Sequence, residues 1–416
     1  MEAQILNSEN LLIEVNGREY RLNTPPIVGI CLDGTDPAYL EAALPCMPFF
    51  ATMIQRGAHG IANSVIPSFT NPNNIAIATG VPPEINGICG NYYYNEETGD
   101  EVMMNSPEFL RCPSIFAAAA RAGKKVAVVT TKDKLRLLLG NGLEGICFSV
   151  EKAGPQVFNE QGIGELKHLR GGLVPGIYDP DASIYCLEAG AELLRRGMAD
   201  FLYLSTTDFV QHKYAPGEPV AQKFYRDVDE VLRLLDAAGA VVAVTADHGM
   251  NAKTLPDGSP RVQFLKTVLD EAGFSDASVI LPITDPYVVH HGALGSFATV
   301  YLGGCGVEGV EQVLQRVAGV ELVLRREEAH RRFHLPPDRI GELIVLSEKD
   351  TVLGRTPSWH DLSAVSKNLR SHGGLHEMKV PFAINRPLSP VYADRLSAGE
   401  VRNYDLYDFA CNGVRD

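Results

Sequence analysis

Ile27-Val28-Gly29-Ile30-Cys31-Leu32-Asp33-Gly34 is an apolar run without polar alternation that ends on a carboxylate. A strand with no polar face must be buried on both sides, which places it inside a parallel sheet. The same grammar recurs at Val126-Ala127-Val128-Val129, Phe201-Leu202-Tyr203-Leu204 and Val241-Val242-Ala243-Val244. Between these runs, residues 114–122, 181–196 and 218–238 carry the apolar spacing of amphipathic helices. Such alternation predicts an α/β domain, a mostly parallel central sheet flanked by helices. Functional groups in these sheets gather beyond the carboxyl ends of the strands. Asp33, Lys132, Asp208 and Asp247 each stand just after a predicted strand, so four separate segments point at one rim.

Upstream, residues 1–23 read as a β-hairpin ahead of this core. Residues 11–22 alternate around Asn16-Gly17, a dipeptide that tolerates the positive φ a type I′ turn requires. From residue 252 the texture changes. Strand candidates at 278–281, 297–303, 319–324 and 342–346, a helix at 307–317 and charged turns such as Arg325-Arg326-Glu327-Glu328 predict a smaller α+β cap over residues 252–370. It interrupts a core formed by residues 24–251 and 371–416.

The chain has 416 residues and a formal net charge of −14. No long Lys/Arg run is present, which argues against a nucleic-acid binder. An anionic substrate must then be met by a local cluster of cations. Eight scattered cysteines without a C-x-x-C pair predict reduced thiols in a cytoplasmic protein. Met1-Glu2-Ala3-Gln4 does not open a secretion signal, and no apolar stretch is long enough to span a bilayer, so no membrane association is expected. The composition leaves a homodimer open.

Polar islands at the rim supply metal-ligand chemistry. Asp208 and His212 lie four residues apart, which on a helix brings both side chains to one face; a surface ion pair is the ordinary alternative. Asp247-His248-Gly249 places two divergent ligands after a strand, where a helix-capping aspartate is the alternative. Asp33 could equally close an Asx turn. Thr70, in Pro67-Ser68-Phe69-Thr70-Asn71-Pro72-Asn73-Asn74, is a candidate nucleophile if a metal lowers its pKa; it competes with Ser68 and with a role as helix cap. In Arg370-Ser371-His372-Gly373-Gly374-Leu375-His376, the glycines favour His372 as a further ligand, with His376 as the alternative. Lys132-Asp133-Lys134 is a pair of cations at the rim or a solvated loop with an internal ion pair. The pair His290-His291 reads as cap or surface.

The order Asp33, Thr70, Asp208-x-x-x-His212, Asp247-His248-Gly249, His372 resembles the alkaline phosphatase superfamily, in its nucleotide pyrophosphatase/phosphodiesterase-like branch. The run from Val65 to Asn91 resembles that branch's nucleophile segment. The resemblance implies an alkaline phosphatase-like core carrying two Zn2+ ions, with Mn2+ or Fe as alternatives. One ion would be held by Asp208, His212 and His372, the other by Asp33, Thr70, Asp247 and His248. It further implies Thr70 as nucleophile, Asn91 on a phosphoryl oxygen, and Lys132 and Lys134 on a substrate carboxylate. The implied reaction is hydrolysis of a carbon–phosphorus bond in a small carboxylate-bearing phosphonate, through a phospho-threonine. The alternative is a phosphodiesterase or phosphomonoesterase with the same metal site, in which Tyr92, Tyr93 and Tyr94 build a slot for the ester group.

Overall fold

The computed structural model describes residues 4–7, 11–22, 25–284, 292–363 and 368–415; the pair His290-His291 lies outside them. Seven strands form the central sheet in the order Ala58–Asn63, Lys379–Ile384, Val241–Thr245, Ile27–Cys31, Phe201–Ser205, Val126–Thr130, Ile146–Ser149. The last five run parallel. Four of these are the apolar runs that predicted the sheet, and every residue in them is buried. Ile27 pairs in register with both Phe201 and Val241, and Cys31 with both Ser205 and Thr245. Asp33, Asp208 and Asp247 therefore leave the sheet at nearly one level.

Val28 and Ile30 face an apolar layer that includes helices Pro37–Ala43, Pro48–Arg56, Asp181–Arg195 and Pro219–Ala237. Ile27 and Cys31 face the opposite layer, built from helices Thr70–Thr79 and Ile115–Arg121, the C-terminal segment and the N-terminal hairpin. That hairpin, Leu12–Val15 with Arg18–Arg21, turns on Asn16 (φ 55°) and Gly17 (φ 79°) as its sequence predicts. Gln4–Asn7 adds a third strand.

Three strands of the sheet were not predicted: Ile146–Ser149 at one edge and two at the other. Lys379–Ile384 runs antiparallel to Val241–Thr245, and Ala58–Asn63 lies antiparallel beyond it at the edge. Proline inside a paired strand removes a ladder donor, and Pro381 hides this strand from a pattern search. The Thr245 hydroxyl donates to the Pro381 carbonyl at 3.0 Å.

A second, antiparallel sheet has the order Ser278–Ile280, Phe297–Tyr301, Leu343–Ser347, Val320–Arg325, close to the four strand candidates of residues 252–370. Helix Val307–Leu314 packs with it around a separate apolar cluster that reaches Ile66 and Phe69.

One close approach in the main core is at Gly29. A β-carbon there would lie 2.6 Å from the hydroxyl oxygen and 2.7 Å from Cζ of the fully buried Tyr407. Gly29→Ala is expected to destabilise the protein by about 1–3 kcal/mol, because the ring must shift in a close-packed core. Gly154→Ala, with an extended φ and nothing near the added carbon, is expected to leave the denaturation midpoint unchanged. Equal midpoints for the two variants would contradict this packing.

Candidate metal centre

Asp208 precedes the short helix Phe209–Lys213, and the His212 amide donates to the Asp208 carbonyl at 2.9 Å. One helical turn thus sets His212 Nε2 2.9 Å from Asp208 Oδ2; His372 Nε2 lies 3.7 Å from the same oxygen. On the other side, His248 Nε2 lies 3.3 Å from Asp33 Oδ1, 3.7 Å from Asp247 Oδ2 and 3.4 Å from Thr70 Oγ1. A tetrahedral ion with bonds of about 2.0–2.1 Å keeps its ligand atoms roughly 3.3 Å apart, so these are the spacings of two ligand sets. Asp208, His212 and His372 form one buried group, and Asp33, Asp247 and His248 the other.

The imidazoles are oriented for coordination. Nδ1 of His212 donates to the Arg370 carbonyl, Nδ1 of His248 to the Gly249 carbonyl and Nδ1 of His372 to the Ser68 carbonyl, each at 2.8 Å. A carbonyl oxygen only accepts, so each Nδ1 carries a proton, and in the neutral imidazole Nε2 turns its lone pair inward. The His248 and His372 rings stack at 3.5 Å between centroids, one from each group.

Among the described residues, neither carboxylate oxygen of the fully buried Asp33 accepts a hydrogen bond, and His248 Nε2 stands 3.3 Å from Oδ1. A buried carboxylate without donors is costly, and a cation satisfies it. Burial pushes the Asp33 carboxyl well above its usual range, and the charges of Asp208 and Asp247 push it further. For His248, burial lowers the pKa, but Asp247 and Asp33 outweigh it and raise the value to about 9. His372 is held well below its usual value by burial and by His248. Oxygen and nitrogen donors without thiolate fit a divalent ion such as zinc.

Thr70 is the first residue of helix Thr70–Thr79, so it does not cap a helix starting at Pro72. It is partly exposed, whereas Ser68 is buried, with its hydroxyl donating to the Gly374 carbonyl at 3.1 Å. Of the two candidate hydroxyls, Thr70 is the one open to a substrate. Asn73 secures the approach: its Oδ1 accepts from the Val65 amide at 2.7 Å and its Nδ2 donates to the Phe69 carbonyl at 3.0 Å.

Lys132 precedes helix Asp133–Leu139 and brings Nζ within 3.3 Å of Asp208 Oδ1; Lys134 is buried in the first turn. Asp133 turns to Arg136 at 2.6 Å and Ser149 at 2.7 Å, which removes the internal Lys–Asp pair as the explanation of this segment. Asn91 is buried, its amide donating to the Pro282 carbonyl at 2.8 Å. His376 is exposed and bonds Glu321 at 2.7 Å, away from both ligand groups.

Sequence reasoning missed the supports. Asn74 Nδ2 donates to Asp247 Oδ2 at 3.2 Å while its Oδ1 accepts from Tyr203 and Ser205. A polar residue four positions from Thr70 amid an apolar helix was the available signal. Arg370 ties Gln211, Met250 and Tyr39 behind His212.

Residues 27–138 and 191–376 match the family model described as type I phosphodiesterase / nucleotide pyrophosphatase. The chain belongs to that family, within the alkaline phosphatase superfamily, and has its alkaline phosphatase-like fold. A crystal structure of phosphonoacetate hydrolase from Sinorhizobium meliloti 1021 in complex with phosphonoacetate is 50% identical over 97% of this chain and 98% of that one, with a TM-score of 0.91. The same enzyme in complex with phosphonoformate gives the same figures. Murine ectonucleotide pyrophosphatase/phosphodiesterase 5, 18% identical over 93% of this chain and 94% of that one, shares the fold with a TM-score of 0.61.

Without metal, a raised Asp33 pKa makes the protonated form the one that favours folding, a contribution present at low pH and lost as pH rises through the folded value. Metal binding needs Asp33 ionised and His248 deprotonated, so it releases protons. The rise in melting temperature on adding zinc is therefore expected to be larger at about pH 8 than at about pH 5.5. Differential scanning fluorimetry checks this, and a zinc effect independent of pH would contradict it.

Proposed function

We propose that this chain is a di-zinc hydrolase that splits phosphonoacetate into acetate and orthophosphate through a phospho-threonine on Thr70. The observation that carries the proposal is a lysine beside the ligand groups, Lys132, whose Nζ lies 3.3 Å from Asp208 Oδ1, with a second lysine, Lys134, buried two residues further along the chain. An ester leaving group departs as an oxyanion and needs no such pair. A carbon leaving group departs only if its electron pair can spread onto an adjacent carboxylate, and cations beside that carboxylate lower the barrier. The 50% identical enzyme solved with phosphonoacetate supports the same substrate.

One zinc would be held by Asp208, His212 and His372 and the other by Asp33, Thr70, Asp247 and His248; Mn2+ or Fe would use the same donors. Bound there, the ions would neutralise phosphonate charge and lower the pKa of the Thr70 hydroxyl. Thr70 Oγ1 gives up its proton to solvent and attacks phosphorus, and the new O–P bond forms as the P–C bond breaks. The electron pair passes into the carboxymethyl fragment and onto its carboxylate, met by Lys132 and Lys134. Carbon takes a proton from solvent and acetate leaves. Asn91 donates to a phosphoryl oxygen. Water then attacks phosphorus, restoring the Thr70 hydroxyl and releasing orthophosphate.

Residues 24–251 and 371–416 would form the catalytic core and residues 252–370 the cap, which borders the substrate through Pro282 and Ile283 beside Asn91. Eight cysteines without a disulfide suit the cytoplasm, and no helix among the described residues is long and apolar enough to cross a membrane. All proposed ligands come from one chain, so catalysis does not require a homodimer. Of the three tyrosines of the ester-slot alternative, Tyr93 packs edge-on against Phe109, Tyr94 against Tyr301, and the Tyr92 hydroxyl bonds Glu101 at 2.8 Å.

Phosphorus NMR of the zinc-loaded protein with phosphonoacetate is expected to show orthophosphate accumulating. Thr70→Ala should abolish it. Lys132→Met should lower kcat/KM for phosphonoacetate by roughly 10²–10³-fold while largely sparing a chromogenic phosphodiester. Turnover of the diester alone, or equal losses on both substrates, would move the function to ester cleavage.

A further inference from the structure

Lys253 and Glu377 form an ion pair at 2.9 Å, and both side chains are fully buried. Two full charges taken out of water gain little or nothing in stability over an apolar pair of similar volume, so such a pair calls for another explanation. Its connections supply one. The Glu377 carbonyl accepts from the Gly249 amide at 2.8 Å, one residue beyond His248. Glu377 Oε2 accepts from the Gly374 amide at 3.0 Å, two residues beyond His372. Oε1 accepts from Asn251 Nδ2 at 2.6 Å as well as from Lys253.

The grip extends to the nucleophile. Ser68 donates its amide to the Gly373 carbonyl at 3.2 Å and its hydroxyl to the Gly374 carbonyl at 3.1 Å, two residues before Thr70. One carboxylate residue therefore connects the three loops that carry His248, His372 and Thr70. Lys253 holds the charge of that residue in place and donates in turn to the Lys349 carbonyl at 2.7 Å, beyond strand Leu343–Ser347 of the second sheet.

We infer that Glu377, held by Lys253, is a positioning residue that fixes the spacing between the two metal-ligand groups and anchors it to the second sheet. The inference rests on the two-metal reading of the site. It assigns Glu377 no contact with metal or substrate; its side chain acts through Gly374 and Asn251, and its main-chain carbonyl, which the substitutions below leave in place, through Gly249.

The test compares wild type with Lys253→Met, Glu377→Met, the double variant and Glu377→Gln. Each single methionine variant leaves one buried charge unpaired and is expected to melt at lower temperature. The double variant removes both charges and is expected to recover the wild-type melting temperature. It should nevertheless bind zinc at least about 10-fold more weakly in competition with a chromogenic chelator, with kcat for phosphonoacetate reduced more than KM is raised. Glu377→Gln keeps the shape but turns an amide N–H toward a donor, and should also weaken zinc binding; it decides the matter if the double variant does not fold. Wild-type zinc affinity in either folded variant would overturn the inference while leaving the two-metal reading intact. A wild-type protein that takes up fewer than two zinc ions would overturn the two-metal reading, and this inference with it.

Discussion

Three carboxylates, Asp33, Asp208 and Asp247, are buried together at the ends of adjacent parallel strands in a chain whose net charge is already −14. Like charges in a dry volume repel strongly, and the folded protein holds them only if protons or cations share the space. The raised pKa values of Asp33 and His248 express that demand when protons alone meet it. Two divalent ions would meet it better at neutral pH, with the three inward-facing Nε2 atoms as further ligands.

The fold generates this crowding from register. Ile27, Phe201 and Val241 are level at one end of the sheet, so the residues leaving at the other end converge. The antiparallel strand Lys379–Ile384 adds the remaining histidine, because the loop that enters it carries His372 against the Ser68 carbonyl. Helix Thr70–Thr79 then presents Thr70 at its first turn, where partial exposure and proximity to His248 coincide. Lys132 arrives by the same logic one strand further along, after Val126–Thr130.

Much of this was legible in the sequence because the signals were local. Unbroken apolar runs betray strands buried on both faces, and a carboxylate directly after such a run has few places to be. The i, i+4 spacing of Asp208 and His212 needs only one turn of helix. What sequence could not supply was long-range pairing. Pro381 concealed an internal strand, and local sequence could not show that His376 bonds Glu321, a residue 55 positions earlier, while His372 joins Asp208 and His212. Asn74 showed only as a polar residue in an apolar helix, and Glu377 was silent, since their partners include Asp247, Gly249 and Lys253, far off in the chain.

The most direct test is anomalous diffraction at the zinc edge from crystals of the zinc-loaded protein soaked with phosphonoacetate. Two zinc peaks are predicted, one within bonding distance of Asp208, His212 and His372 and one of Asp33, Thr70, Asp247 and His248, with the substrate carboxylate against Lys132 and Lys134. A single ion, an ion on His376, or a carboxylate turned away from both lysines would contradict the account.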